Sequence, residues 1–144
     1  IINALDLKTL EYKPSVRPKN PILKEAKAIE NMHKRMPFLM GKEGKESLFL
    51  KDYFAAIFAY AAQRVPEISD QYYPVDDAMR AGYVWDFGPF EYWDLIGFQQ
   101  GVDMIKAAGE NIPDWIKQMQ NAGADRFYKY EKGEKKYFDL DSQA

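Results

Sequence analysis

Apolar residues recur at helical spacing in several separate stretches of the chain, and proline or glycine stands near the ends of most of them. The strongest stretch, residues 48 to 65, is apolar almost all round at its centre, which is typical of a helix buried on several sides. We predict that it is the central helix, that Ser47 caps its start and that Pro66 ends or turns it. Its apolar centre is shorter than the about 20 residues needed to span a bilayer.

A second, shorter helix has glycine at both of its ends. Gly88 stands at the cap position, and Pro89 fills the first helical position, where its missing N–H is no loss. Gly97 stands where a left-handed stop residue belongs. The same kinds of signal predict helices in four further places, which are residues 21–32, 75–82, 98–108 and 113–122.

The stretch between residues 33 and 46 gives a mixed pattern. It contains apolar side chains, but Pro37 is expected to break any helix there. Residues 41–44, with a glycine at each end and two charges between them, indicate a flexible loop.

Both ends of the chain are predicted to be extended. Residues 126–140 contain two aromatic-rich strands around a glycine-containing turn at residues 131–134, which is a β-hairpin signal. Residues 6–12 are expected to be extended with a turn near Lys8, and a proline-rich basic linker follows over residues 13–19. The tail from Tyr137 echoes the segment from Ala4, with Asp139 matching Asp6, and this hints at an internal repeat.

Composition excludes several classes of protein. A chain of 144 residues with 47% hydrophobic and 15% aromatic residues is large enough for one packed domain and too apolar to be disordered. A net charge of −2 gives no electrostatic reason to expect nucleic acid or an anionic membrane. The absence of cysteine excludes disulfides, thiol catalysis and cysteine metal sites, and it is consistent with a cytoplasmic protein. The single histidine, His33, is expected to lie at the surface or in a linker.

Five acidic residues are concentrated in one part of the chain, where they could serve acid–base catalysis or hold Mg²⁺. A structural role is favoured, because acidic groups near helix starts interact well with the helix dipole. One of the five, Asp94, could also accept backbone N–H groups of an adjoining turn. The five residues are Asp76, Asp77, Asp86, Glu91 and Asp94.

Two binding functions are disfavoured by spacing and charge. Residues 41–44 have the wrong spacing for a dinucleotide fingerprint or a P-loop, so NAD has no predicted site in this chain. The C-terminal hairpin could offer a stacking platform for single-stranded nucleic acid. The acidic overall balance favours instead a hairpin with one face packed on the helices. The side chains concerned are Tyr128, Tyr130, Tyr137 and Phe138, interleaved with Lys129, Lys132, Lys135 and Lys136.

Residues 76–97 closely resemble a signature of the L-3-hydroxyacyl-CoA dehydrogenases, which carry it in a C-terminal helical domain. Every fixed position of that signature is filled here. The neighbouring aromatic residues look most like the large prokaryotic forms, which carry two copies of the helical domain. The signature residues, expected to be structural or to lie at a domain interface, are Asp76, Ala78, Met79, Gly82, Gly88, Pro89, Phe90, Asp94 and Gly97.

The resemblance implies a mainly α-helical fold of five or six helices with a small C-terminal β-hairpin, similar to the C-terminal domain of 6-phosphogluconate dehydrogenase. Residues 1–20 would be an extended segment and linker from a preceding domain, residues 21–125 the helical domain, and residues 126–144 the hairpin and tail. On this view the chain begins inside the hairpin that closes a preceding copy. The absence of an initial Met also suggests a fragment.

The resemblance also implies a parent protein: an NAD-dependent oxidoreductase of fatty-acid β-oxidation, which oxidises the 3-hydroxyl of an acyl-CoA. Its histidine base would lie in a nucleotide-binding domain absent from this chain. The family's first helical copy supplies an Asn that contacts substrate, but the corresponding helix here, residues 48–65, contains no Asn. We therefore expect no catalytic, cofactor or metal residue in this chain.

The expected role of the chain is a non-catalytic buttress that stands in for a dimer partner and helps to shape the acyl-CoA cleft. Its partners would be the first helical copy and the nucleotide-binding domain, with a fused enoyl-CoA hydratase module as a further candidate. The isolated chain should self-associate. The alternative is a stand-alone interaction or CoA-ligand-binding module, and a hydrolase that uses the signature carboxylates is disfavoured.

Overall fold

Seven helices and two small hairpins make up the part of the chain, residues 2–16 and 19–141, that this computed structural model describes. The helices are α1 (Pro21–Ala28), α2 (Met32–Gly41), α3 (Lys45–Ile68), α4 (Tyr73–Tyr83), α5 (Pro89–Ile96), α6 (Phe98–Ala107) and α7 (Asp114–Asn121). The strands are β1 (Asn3–Leu5), β2 (Tyr12–Pro14), β3 (Tyr128–Glu131) and β4 (Glu134–Tyr137). The mainly helical fold with a C-terminal hairpin is confirmed, with seven helices in place of five or six.

The long helix α3 is central, as its apolar middle predicts. It contacts α2, α5 and α6, and the side chains of Phe58 and Ala62 on its inner side are fully buried. The Phe58 ring stacks on that of Trp93 in α5, with ring centroids 4.9 Å apart. Burying each of these two large side chains stabilises the fold by roughly 2–3 kcal/mol.

Both predicted ends of α3 were wrong. The helix begins at Lys45. The preceding residue, Gly44, has a φ of 124° and separates α3 from α2. Ser47 lies inside the first turn, where its buried hydroxyl donates to the carbonyl of Met40 at 3.2 Å and ties α3 to α2. The residue expected to stop the helix, Pro66, lies within it, and the helix continues to Ile68.

A side chain from α7 explains why α3 continues past Pro66. Proline has no N–H to donate to the carbonyl four residues earlier, which is that of Ala62. The indole Nε1 of Trp115 donates to this carbonyl at 2.9 Å. The donor lost at Pro66 is thereby replaced, and no buried carbonyl is left without a partner there.

The region before α3 also differs from the prediction. The first helix ends at Ala28, and Asn31 then caps a new helix by accepting the N–H of His33 at 2.8 Å. Pro37 was expected to break any helix here, but it lies inside α2 with its ring exposed. Met36 and Met40 of the same helix are buried in the core, and this packing on α3 and α5 offsets the hydrogen bond that Pro37 cannot make.

Both ends of the chain form antiparallel hairpins. In β1–β2 Leu5 pairs with Tyr12, and in β3–β4 Tyr128 pairs with Tyr137 across a turn at Lys132–Gly133. The C-terminal hairpin is therefore confirmed. Residues 17 and 18 of the predicted linker and residues 142–144 of the predicted tail lie outside the described residues, and the proposed domain boundaries stay predictions. No helix in the described ranges is long and apolar enough to cross a membrane.

The glycines of the signature differ in what surrounds them. A Cβ added at Gly88 would lie 2.3–2.4 Å from atoms of Asp76, including its Cα, whereas a Cβ at Gly82 would meet nothing within 4 Å. Gly88 has an ordinary φ of −78°, so the constraint there is space and not conformation. The chain needs glycine at position 88 because α4 and the start of α5 approach each other closely.

We predict that Gly88→Ala lowers the free energy of unfolding by about 2–3 kcal/mol, since the new methyl group forces α4 away from α5. Gly82→Ala is the matched control, and it should leave stability unchanged or raise it by up to about 1 kcal/mol, because alanine favours a helix more than glycine. Urea unfolding of both variants measures the difference. Equal effects of the two substitutions would contradict the close packing at Gly88.

Candidate functional site

The buried carboxylate of Asp76 joins three parts of the fold. Asp76 lies in α4 with none of its surface exposed. Its oxygens accept the backbone N–H groups of Phe90 at 2.9 Å and Glu91 at 3.0 Å, in the first turn of α5. They also accept the hydroxyl of Tyr128 in β3 at 2.7 Å. Gly88 has no side chain with which to cap α5, so Asp76 supplies that cap from another helix.

A second carboxylate, Asp94, fixes the start of the C-terminal hairpin. It lies on α5, and its two oxygens accept the backbone N–H of Phe127 at 2.8 and 3.1 Å and that of Tyr128 at 2.8 Å. This is the kind of bond expected for Asp94 from the sequence. Nearby, the hydroxyl of the fully buried Tyr72 donates to the carbonyl of Phe127 at 2.5 Å. Residues 127–128 are therefore held on both sides.

The third carboxylate of the group, Glu91, forms an ion-paired cluster. It accepts the backbone N–H of Gly88 at 2.8 Å and pairs with the guanidinium of Arg80 and the ammonium of Lys135. That ammonium also lies 3.8 Å from the ring centroid of Tyr128. Lys135 therefore contacts two buried or nearly buried groups of the domain, which explains its place in the hairpin without a nucleic-acid partner.

The pKa values of these carboxyls shift in different directions. Burial raises the pKa of Asp76 to about 6, although the hydrogen bonds from Tyr128 and Phe90 oppose the shift. Burial likewise raises the pKa of Asp94 to about 7 against the bonds from Phe127 and Tyr128. Burial also acts to raise the pKa of Glu91, but the contacts with Lys135, Gly88 and Arg80 outweigh it and leave that pKa below its usual value.

The remaining acidic residues of the signature region and the histidine do not join this group. Asp77 is exposed and pairs with Arg80, and Asp86 is exposed on the link between α4 and α5. His33 is exposed, as predicted. Within the described part of the chain, no group of three or more His, Cys, Asp or Glu side chains could hold a metal ion.

The other signature residues fall into two sets. Pro89 and Phe90 are buried at the start of α5. Gly97 ends that helix as predicted, but its φ of 119° and ψ of 130° differ from the left-handed helical conformation that was expected. Ala78 and Gly82 lie one turn apart on an exposed face of α4, and Met79 is half-buried beside them. The first set is explained by contacts within this chain, but the exposure of Ala78 and Gly82 is not.

The described residues do not include the strand–turn–helix unit that binds dinucleotides. Dinucleotides bind where a glycine-rich turn connects a parallel strand to a helix. All four strands here lie in antiparallel hairpins, and none is followed by such a turn.

The role of Tyr128 as a hydrogen-bond donor was not predicted. Its hydroxyl meets Asp76 from a position 52 residues further along the chain. The sequence predicted that one face of the aromatic hairpin packs on the helices, and Tyr128 is buried there, whereas Tyr130 is 70% exposed. Nothing local to either residue identifies its partner, since the signal lies in the tertiary packing.

Comparison with known proteins supports the resemblance of residues 76–97 to the dehydrogenase signature. The chain is 33% identical over 138 residues to a probable 3-hydroxyacyl-CoA dehydrogenase of Bacillus subtilis (strain 168), and the match covers 96% of this chain and 18% of the relative. It is 47% identical over 51 residues to a putative fatty acid oxidation complex trifunctional enzyme of Rickettsia felis (strain ATCC VR-1525 / URRWXCal2), covering 35% and 7% of the two chains. No family model and no solved structure matches.

The chain is therefore a relative of the 3-hydroxyacyl-CoA dehydrogenases over nearly its whole length. It spans less than a fifth of the length of each curated relative, and it fits a fragment of such a larger dehydrogenase. The resemblance inferred from residues 76–97 is thus confirmed.

The raised pKa values of Asp76 and Asp94 predict that the free energy of unfolding falls as the pH rises from about 5 to about 7. Each carboxyl binds its proton more tightly in the folded chain than in the unfolded chain, where the pKa is about 3.9, so the stability contributed by protonation is lost as the pH passes the folded pKa. The lowered pKa of Glu91 affects the free energy of unfolding at pH values below the range from 5 to 7. Urea unfolding at several pH values measures the slope.

Two variants separate the contributions. Asp94→Asn cannot titrate, so it should flatten the upper part of the slope between pH 6 and pH 7. Asp77→Asn, which changes an exposed carboxylate on the same helix as Asp76, should keep the slope of the unmodified chain. A free energy of unfolding that rises between pH 5 and pH 7 would contradict the account.

Proposed function

We propose that this chain is the second helical copy of a multidomain, NAD-dependent L-3-hydroxyacyl-CoA dehydrogenase of fatty-acid oxidation. In this proposal the chain takes no part in the chemistry. It supports the first helical copy and helps to shape the cleft for the acyl-CoA substrate. The relation to the dehydrogenase and the modest share of it that the chain spans motivate this assignment.

The main support for a non-catalytic role is that the buried acidic side chains of residues 76–97 already have hydrogen-bond or ion-pair partners within the chain. Asp76 and Asp94 together accept hydrogen bonds from backbone N–H groups and from Tyr128, and Glu91 is paired with two cations. A general base must reach a substrate proton through a free lone pair. These three groups are committed to holding α4, α5 and the hairpin together, which disfavours the hydrolase hypothesis.

A repeated turn supports the assignment to a second copy. Asp139 accepts the N–H of Asp141 at 2.8 Å, and Asp6 accepts the N–H of Lys8 at 2.9 Å in the same two-residue relation. The aligned side chains differ in their surroundings. Phe138 packs against the core, whereas its counterpart Leu5 is 42% exposed. The N-terminal hairpin thus carries an apolar side chain that would pack on the helices of a preceding copy.

An exposed apolar face supports the role of buttress. Tyr60 on α3 and Tyr83 and Val84 at the end of α4 are 68%, 72% and 86% exposed. Val84 also has a φ of 55°, a conformation that β-branched residues rarely adopt. Apolar side chains concentrated on one face are typical of a surface that packs on another domain. The same face would suit a stand-alone interaction module, which is the alternative function.

Activity measurements on three samples test the proposal. They are the isolated chain, the full-length parent and the parent truncated before Pro21, each assayed for NADH formed from a 3-hydroxyacyl-CoA. We expect activity in the parent, no activity in the isolated chain and a weakened truncated parent. A truncated parent that keeps its full rate, affinity and oligomeric state would favour the alternative function, a stand-alone interaction module. Turnover by the isolated chain would refute the non-catalytic role.

A point substitution on the exposed face gives a sharper version of this test. Val84→Asp should lower kcat/KM of the parent severalfold, while the isolated variant should unfold at the same urea concentration as the unmodified chain, since Asp tolerates a positive φ better than Val. Tyr130→Asp, which changes a 70% exposed position on the hairpin, is the matched control. Equal activity of the two variants would argue against a domain interface at Val84.

A further inference from the structure

A cleft lined by aromatic rings lies where the link between α4 and α5 meets α3 and α5. Helix α4 ends at Tyr83, and Val84 then turns the chain with its φ of 55°. The next two residues, Trp85 and Asp86, line the cleft together with side chains of α3 and α5. The residues that contribute rings are Tyr53 and Phe54 of α3, Trp85 of the link and Tyr92 of α5.

Neighbouring rings in this cleft stand at steep angles to each other. The rings of Trp85 and Tyr92 have centroids 6.4 Å apart and planes at 78°. Those of Tyr53 and Phe54 are 5.4 Å apart at 79°, and Phe54 contacts Tyr92 at 5.4 Å and 45°. Such rings form the walls of a corner and not a parallel-sided slot. Because ring faces carry partial negative charge, a corner favours a compact ammonium over a planar guanidinium.

The charge of the cleft is negative and has no counterion within the described residues. Asp86 is the only charged residue among the described walls. In the described ranges its carboxylate forms no ion pair, in contrast to the carboxylates of Asp77 and Glu91. Burial raises the pKa of Tyr92, and the negative charge of Asp86 adds to the shift, so this charge acts on the rings of the cleft. The cleft therefore has the groups that bind a cation.

We propose that this cleft receives the ammonium group of a lysine from the domain that packs on this face in the parent protein. The inference rests on the proposed function, because it names the chemistry of the contact between domains. The cleft is continuous with the proposed contact surface, since the exposed Val84 belongs to both. The ammonium lies on the faces of Trp85 and Tyr92 and pairs with Asp86, and a covering domain strengthens both contacts by excluding water.

Small amides test the cleft in the isolated chain. N-acetyllysinamide and N-acetylnorleucinamide differ only in the ammonium group, and the NMR signal of the Trp85 indole N–H reports binding at constant ionic strength. The lysine amide should bind at least fivefold more tightly than the norleucine amide, because it adds the contact with the rings and the ion pair. Equal affinities, or tighter binding of N-acetylargininamide, would overturn the proposal.

Two substitutions locate the binding. Asp86→Asn removes the charge of an exposed side chain, so the chain should fold as before, while its preference for the lysine amide should fall about threefold. Asp77→Asn, which changes an exposed carboxylate of α4, is the matched control and should keep the full preference. Equal effects of the two substitutions would contradict an ion pair at Asp86.

Carbodiimide cross-linking of the full-length parent identifies the lysine. The reagent activates a carboxylate, and a contacting amine then forms an amide bond with it while the reagent takes up the water and leaves as a urea. Mass spectrometry should find Asp86 joined to a lysine outside residues 1–144, and Asp86→Asn should remove this link. A link from Asp86 only to lysines within residues 1–144, or no link at all, would overturn the proposal.

The outcomes for the lysine contact and for the proposed function are distinguishable. If Val84→Asp lowers the activity of the parent but Asp86 forms no such link, the domain contact stands and the lysine contact is wrong. If the link forms in a parent whose activity is the same with and without residues 21–144, the lysine contact stands and the supporting role is wrong.

Discussion

Two aspartates that accept backbone N–H groups from distant parts of the chain hold this domain together. Asp76 caps the first turn of α5 from α4, and Asp94 fixes the chain at Phe127 and Tyr128. An uncapped helix start and a free hairpin end would otherwise leave buried donors without acceptors, each costing roughly 1–3 kcal/mol. The arrangement explains why α4 and α5 approach so closely that Gly88 has no room for a side chain.

This use of the carboxylates connects the structure to the proposed role. A segment rich in buried acidic groups resembles an active site by composition, and the raised pKa values of Asp76 and Asp94 would strengthen that impression. Their partners support the structural role that we propose, because every contact described above leads to the protein's own backbone, Tyr128 or a paired cation. The contact with other domains that we propose lies on the outer surface, on the apolar side of α3 and α4.

The sequence predicted those elements whose determinants are local. The short helix between Gly88 and Gly97 and the hairpin around Gly133 follow from neighbouring residues, and both were predicted to within a residue or two. The C-terminal end of α3 depends on a contact from elsewhere: Trp115 of α7 donates to the carbonyl that Pro66 leaves free. The contacts of the candidate site also divide into those that could be predicted from the sequence and those that could not. The capacity of Asp94 to bond an adjoining turn was predictable, but the pairing of Asp76 with Tyr128 was not.

Amide hydrogen exchange tests the central claim most directly. In the intact chain, the N–H groups of Phe90, Glu91, Phe127 and Tyr128 should exchange as slowly as those in the middle of α3. Asp94→Ala should speed exchange at Phe127 and Tyr128 by at least tenfold relative to Phe90 and Glu91, which bond to Asp76. Fast exchange at all four groups in the intact chain, or an equal change at both pairs in the variant, would contradict the account.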